Sequence, residues 1–321
     1  MIHCLKITLL LTFILLAYSY CVAQETNSVL KFQNIKTWEQ TDSPTDIGYK
    51  VVDNWLKLPD RIEHKVVSGV AVDSKDRIYI LDRGVTFPSV ICVNTKGEFL
   101  FRWKLEGVAE AHLIAFDAND NVWITDTKNH QIYKLSKQGK ILFALGEKGI
   151  AGSDATHYDK PTDIQFLKNG SCFVSDGYGV NKRVLKYDSA FKFLFEWGKK
   201  GKNLGDFMCP HAITLGTDGL LYIADRDAWS VQVYNQEGKL QQVWPHIGYI
   251  FDLVETPNHT FLCLDGKNGR MTEVDAAGNV IGFVVGEKYL RGHGISITSK
   301  GDVILALKDG RIEMVSKSTL K

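Results

Sequence analysis

The chain has 321 residues and carries 38 Lys and Arg against 37 Asp and Glu, a formal charge of +1. That balance gives no reason to expect nucleic acid or an anionic membrane surface as a partner. Apolar residues make up 45% of it, and a chain of this length buries roughly three quarters of its unfolded surface, so a core needs no staples.

The first 23 residues stand apart. Lys6 precedes an uncharged run from Ile7 to Ala17, and the small residues Cys21 and Ala23 precede Gln24. This is the pattern of a secretory signal peptide cleaved before Gln24, and the run is short for a membrane span. The expectation is a secreted or periplasmic protein. Residues 24–48 are polar and turn-rich and read as a linker or mobile arm. Beyond the leader four cysteines remain: Cys92, Cys172, Cys209 and Cys263. They show no CxxC spacing and sit in apolar strand patterns, so buried free thiols are expected rather than a cysteine metal site.

From residue 49 to the end the chain reads as strand after strand, separated by turn signals such as SKD, ANDN, KNG and TDG. The first strand of each unit aligns at Val70, Ile114, Ile164, Ile213, Leu253 and Ile295, with steps of 44, 50, 49, 40 and 42 residues. A second strand follows in each unit, ending in Asp82, Asp126, Asp176, Asp225 and Asp265 in the first five. Third and fourth strands complete these units. Repeats of this length with four strands each specify an all-β, six-bladed β-propeller. The sixth unit has only three strands, so the N-terminal segment around Lys50–Leu56 is expected to supply the fourth and close the ring. A closed ring has no obligatory partner, and the expectation is a monomer.

In a propeller the first strand of each blade lines the central channel. The position two residues before each aligned apolar residue is therefore a ring of six places: Ser68, His112, Thr162, His211, Phe251 and His293. The histidines fall on alternate blades and converge on one point. Three imidazoles with a fourth position open are the ligand pattern of catalytic zinc. The same set also suits copper, iron or cobalt.

The phrases KPTDIQF, VSDGYGVNKRV, PHAITL and YIADRDAWSVQVY resemble stretches of the peptidyl-α-hydroxyglycine α-amidating lyases. Those enzymes are six-bladed propellers of NHL type that split a peptidyl-α-hydroxyglycine into a peptide amide and glyoxylate. The resemblance covers nearly the whole chain beyond the leader and is densest between about 158 and 235. It implies zinc at His112, His211 and His293, a catalytic tyrosine at Tyr178 and a catalytic arginine at Arg83. Arg226 matches another arginine of the pocket. It and Arg291 are expected to hold the carboxylate of a small peptide-like substrate. A structural calcium is implied on the backbone carbonyls of Val70 and Ile114, but its aspartate falls on Gly294. The family's methionine before the third histidine is Arg291 here. Its disulfide falls on Gly179 and Asp159, and is absent. A monooxygenase half is not expected in a chain of this length. Two alternatives remain open: a noncatalytic NHL propeller that binds a peptide, glycan or protein, and a metal-dependent lyase or hydrolase for a different small substrate.

Overall fold

The computed structural model describes residues 45–84 and 87–317. The leader and all but the last residues of the linker lie outside them. The described residues form six four-stranded antiparallel sheets. The innermost strands of blades 1 to 6 are Val67–Val72, Ala111–Phe116, Asp163–Phe166, Pro210–Leu215, Asp252–Glu255 and Gly292–Ile297, each packed on the next around the ring. Five blades are built from four consecutive strands. The sixth takes its outer strand from the other end of the chain: Tyr49–Val51 pairs with Ile312–Lys317, Tyr49 opposite Lys317 and Val51 opposite Val315. Closure by the N-terminal segment therefore holds.

The sequence explains which strands lie deep. Second strands such as Ile78–Asp82, Val122–Asp126 and Leu221–Asp225 are apolar runs and are buried at every position. Outer strands such as Phe193–Trp197 alternate partly buried and exposed residues, because one face meets water. The core is distributed between neighbouring blades. Leu81 and Val90 of blade 1, for instance, pack with Ile114, Ile124 and Tyr133 of blade 2. Turns take part in this packing. Gly139 has φ of 78°, and a Cβ there would lie 2.5 Å from that of Trp103 on the preceding blade. Only glycine fits such a turn.

The aspartates that end the second strands anchor the chain where it enters each channel strand. Asp82 accepts the N–H groups of Lys65 and Val66, Asp126 those of Ala109 and Glu110, and Asp225 those of Met208 and Cys209. Each tie lies just upstream of a ring position, so it fixes the residues that face the channel.

The docked N-terminal segment begins earlier than the expected boundary at residue 49. The Phe283 N–H donates to the Thr45 carbonyl at 3.0 Å, and Ile47 is buried with Tyr49, Leu262 and Tyr289. The four cysteines among the described residues are free and buried. No helix among the described residues is long and apolar enough to cross a membrane.

Candidate metal centre

The three ring histidines are fully buried, and their imidazoles form a nearly equilateral triangle. Ring centroids are 4.8, 4.8 and 5.0 Å apart. The ligand atoms they offer all lie within 4.8 Å of one another. Local backbone irregularity aims them. The pairing of first and second strands slips between Ala111 and Ile114, Pro210 and Ala212, and Gly292 and Gly294. Each slip is a β-bulge that carries a histidine, and a bulge turns a side chain away from the regular pleat.

The intervening blades supply the second half of the arrangement. His112 Nδ1 lies 2.7 Å from the Thr162 carbonyl, His211 Nδ1 2.5 Å from that of Phe251, and His293 Nδ1 2.6 Å from that of Ser68. A carbonyl can only accept, so each Nδ1 carries the proton and each Nε2 presents a lone pair to the axis. Such a partner is typical of metal-bound histidine. Nε2 of His112 and of His293 are buried with no hydrogen-bond partner among the described residues. An orphaned buried lone pair is costly, and two aimed at one point call for a shared cation. Burial, aided by nearby positive charge, holds all three imidazoles well below the usual histidine range. They are neutral, as ligation requires. The residues present therefore fit a divalent metal held by three nitrogens.

Tyr178 is brought to the same point. Its hydroxyl is 2.8 Å from His211 Nε2, and its ring stands edge-on to His112 at 4.7 Å. Arg226 donates to the hydroxyl from Nη1 at 3.1 Å while its Nε pairs with Asp227 at 2.9 Å. Its guanidinium lies over the rings of Tyr178, Tyr249 and Phe251 at 5.0–5.2 Å. Burial pushes the tyrosine up to about 12, against the pull of Arg226 and Arg83. Arg83 donates to the Ala111 carbonyl at 2.8 Å and to Glu110 at 3.0 Å, beside His112. A cleft of about 500 Å³, lined in part by Glu110, His130, Lys160, Tyr178 and Arg226, opens beside them.

The loop that carries Tyr178 is held without a disulfide. Asp159 accepts the Gly179 N–H through its carbonyl at 2.9 Å and the Val180 N–H through its carboxylate at 2.8 Å. A Cβ on Gly179 would lie 2.0 Å from the Asp159 carboxyl carbon. Glycine here is what lets the aspartate close the loop.

One expected residue is not drawn in. Arg291 is exposed at φ of 65°, and its charge bears on Asp309. The positive charge felt at His112 comes instead from Arg83, Lys308 and Arg226. The calcium set expected on the Val70 and Ile114 carbonyls has no carboxylate at Gly294 to complete it. A Cβ at Gly294 would stand 2.9 Å from the Gly69 Cα and 3.1 Å from the Val70 nitrogen, so blades 6 and 1 meet backbone to backbone where a carboxylate would have to enter.

Sequence reasoning passed over Lys308. It follows the second strand of blade 6, Val303–Leu307, at the place where Arg83 and Arg226 follow theirs. The signal was there in the repeat alignment. It was hidden because Leu307 stands where the other five blades end in aspartate.

No protein-family profile matches the chain. A probable peptidyl-alpha-hydroxyglycine alpha-amidating lyase of Caenorhabditis elegans is 36% identical over 128 residues, 39% of this chain and 36% of that protein. The chain is a relative of the peptidyl-α-hydroxyglycine α-amidating lyases. It is also similar to NHL repeat-containing protein 3 of Homo sapiens, 28% identical over 201 residues, 60% of this chain and 58% of that protein. The chain thus matches about a third and somewhat over half of the lengths of these relatives. Among solved structures, a streptogramin B lyase superimposes with a TM-score of 0.59 at 14% identity, covering 85% of this chain and 99% of that one. That likeness speaks to the propeller fold alone.

Proposed function

We propose that this chain is an exported, zinc-dependent lyase that cleaves the C–N bond of a peptidyl-α-hydroxyglycine, releasing a peptide amide and glyoxylate. One observation carries the reading: three neutral, fully buried imidazoles, two with orphaned Nε2 atoms, converge beside the hydroxyl of Tyr178. His112, His211 and His293 are the residues that would hold the metal. When bound, a divalent cation would supply positive charge that stabilises anionic oxygens of the substrate and favours the ionised form of Tyr178.

The remaining chemistry belongs to the chain. Breakdown of a carbinolamide moves one proton from the hydroxyl oxygen to the departing amide nitrogen as the C–N bond breaks and the aldehyde forms. The reaction balances with no further reactant. Tyr178 is the group that takes and returns that proton. Burial opposes its ionisation, and the guanidiniums of Arg226 and Arg83 oppose the effect of burial. Arg226 also fixes the direction of the hydroxyl. Phe251 and Tyr249 pack their rings against the guanidinium.

The NHL-repeat relative supports a second reading, a binding ring without chemistry. The orphaned imidazoles favour the first, because a noncatalytic channel gains nothing from them. Glyoxylate release from an N-acyl-α-hydroxyglycine by zinc-loaded protein is the test. Turnover in the wild type and a large loss in Tyr178→Phe support the lyase. Full metal loading with no glyoxylate counts against it.

A further inference from the structure

Three cations leave the second strands at equivalent places. The backbone N–H of Arg83 donates to the Val66 carbonyl at 2.8 Å, that of Arg226 to Cys209 at 2.9 Å, and that of Lys308 to Arg291 at 2.9 Å. Each acceptor stands two residues before a ring position: Ser68, His211 and His293. The three side chains therefore stand at corresponding places around the mouth above the histidines. Arg83 lies beside His112, and Arg226 lies beside His211 and Tyr178. Lys308 Nζ lies 4.9 Å over the ring of Phe251, which itself sits 5.3 Å from the His211 ring and 5.2 Å from that of His293.

The three differ in what neutralises them. Arg83 has Glu110 at 3.0 Å and Arg226 has Asp227 at 2.9 Å. Lys308 has no carboxylate within ion-pair distance among the described residues, although it is partly buried and faces both guanidiniums. A half-buried ammonium with two cations for neighbours, and only Glu110 beyond ion-pair distance to offset them, is costly unless an anion joins it. Its environment shows the strain: burial, then the charges of Arg83 and Arg226, push it down to about 8 against the pull of Glu110.

We propose that Lys308 anchors the carboxylate of the substrate, and that the mouth selects small α-hydroxy and α-keto monocarboxylates. The anion completes the collar that Glu110 and Asp227 leave one charge short. Its α-oxygen then falls toward Tyr178 and the histidines. This rests on the reading of the channel mouth as the reaction site. It adds a specificity-determining residue on blade 6, where the reacting groups come from blades 2, 3, 4 and 6.

Glycolate and glycolamide share the α-hydroxyl and differ in the charge, so they isolate the carboxylate. In calorimetry on zinc-loaded protein, the wild type is expected to bind glycolate about tenfold more tightly than glycolamide, the scale of one charge-assisted contact. Lys308→Met should lose that preference and bind glycolamide unchanged, and Lys308→Arg should keep most of it. Lys308→Gln, closer in polarity, serves if the methionine variant does not fold. Equal binding of both ligands by the wild type, or an intact preference in the neutral variant, overturns the proposal. Glyoxylate release is scored separately. A preference that depends on Lys308 without turnover sinks the lyase and leaves the anchor. Turnover with KM unmoved in Lys308→Met sinks the anchor and leaves the lyase.

Discussion

At the scale of single residues, the site is a set of lone pairs and charges with nowhere else to go. The tautomers of His112, His211 and His293 are set by carbonyls of Thr162, Phe251 and Ser68, residues that look inert in the sequence. Tyr178 contributes a hydroxyl to that centre, and its ring also packs against His112 and His211. Tyr178→Phe keeps the ring and removes only the proton-carrying oxygen. Metal affinity should be unchanged within about threefold, while turnover falls by roughly 10²–10⁴, the range for loss of a general acid–base. Metal titration beside a glyoxylate assay separates the two effects. A variant that turns over as the wild type would remove Tyr178 from the mechanism.

At the scale of elements, the innermost strands carry two tiers. Histidines occupy blades 2, 4 and 6. One residue past the ring position, Asp163 on blade 3 and Asp252 on blade 5 reach across to the next blade. Asp163 accepts the N–H of Ile164 and of Ile213, and Asp252 those of Leu253 and Ile295. Burial pushes Asp163 up to about 7, so the folded protein holds a proton there that the unfolded chain, near 3.8, has released. The resulting stability is full below 3.8 and is lost as pH rises through about 7. Relative to Asp163→Asn, the wild type should therefore lose thermal stability between pH 5 and pH 8. Melting both proteins across that range checks it, and a difference that stays flat or grows with pH contradicts it. On blade 1 the equivalent residue is Gly69, and Gly294 lies against it. Gly294→Ala should destabilise by about 1–3 kcal/mol through overpacking. Calcium or its chelation should leave the wild-type Tm unmoved, since blades 6 and 1 close on backbone.

The repeat made these elements readable from the sequence, and its irregularities limited the reading. Six apolar strand starts at steps of 40 to 50 residues gave the blades, and register alone placed the histidines on alternate ones. Arg291, two residues before His293 in sequence, stands exposed at positive φ, while the positive charge felt at His112 comes from residues far from it in sequence. Lys308 was missed because Leu307 breaks the aspartate punctuation. The bulges that aim the histidines left no mark at all, since a one-residue slip between strands is a property of their pairing.

At the scale of the whole molecule, the ring is a closed cycle whose last pairing joins the two ends of the chain. Ile47 and Tyr49 add buried apolar surface to that joint, beside Leu262, Leu305 and Val315. Removing residues up to Val51 should cost on the order of 3–6 kcal/mol, the transfer value of two large buried side chains. It should also bare the strand Ile312–Lys317 as an open edge. Urea unfolding measures the first effect, and light scattering reports association through the second. A truncated chain that is as stable and as monodisperse as the full one would show that closure does not depend on this strand. The histidine triangle needs all six blades in place, because its carbonyl partners come from blades 1, 3 and 5. Loss of closure should therefore weaken metal binding at a distance.

The measurement that bears most directly on the site is the metal content of the purified wild type beside His211→Ala. About one tightly held divalent ion per chain, zinc foremost, is expected in the wild type, and it should be lost or weakened at least tenfold in the variant. A wild-type protein that stays metal-free after incubation with zinc, or a variant that binds zinc equally well, would contradict the account at its root.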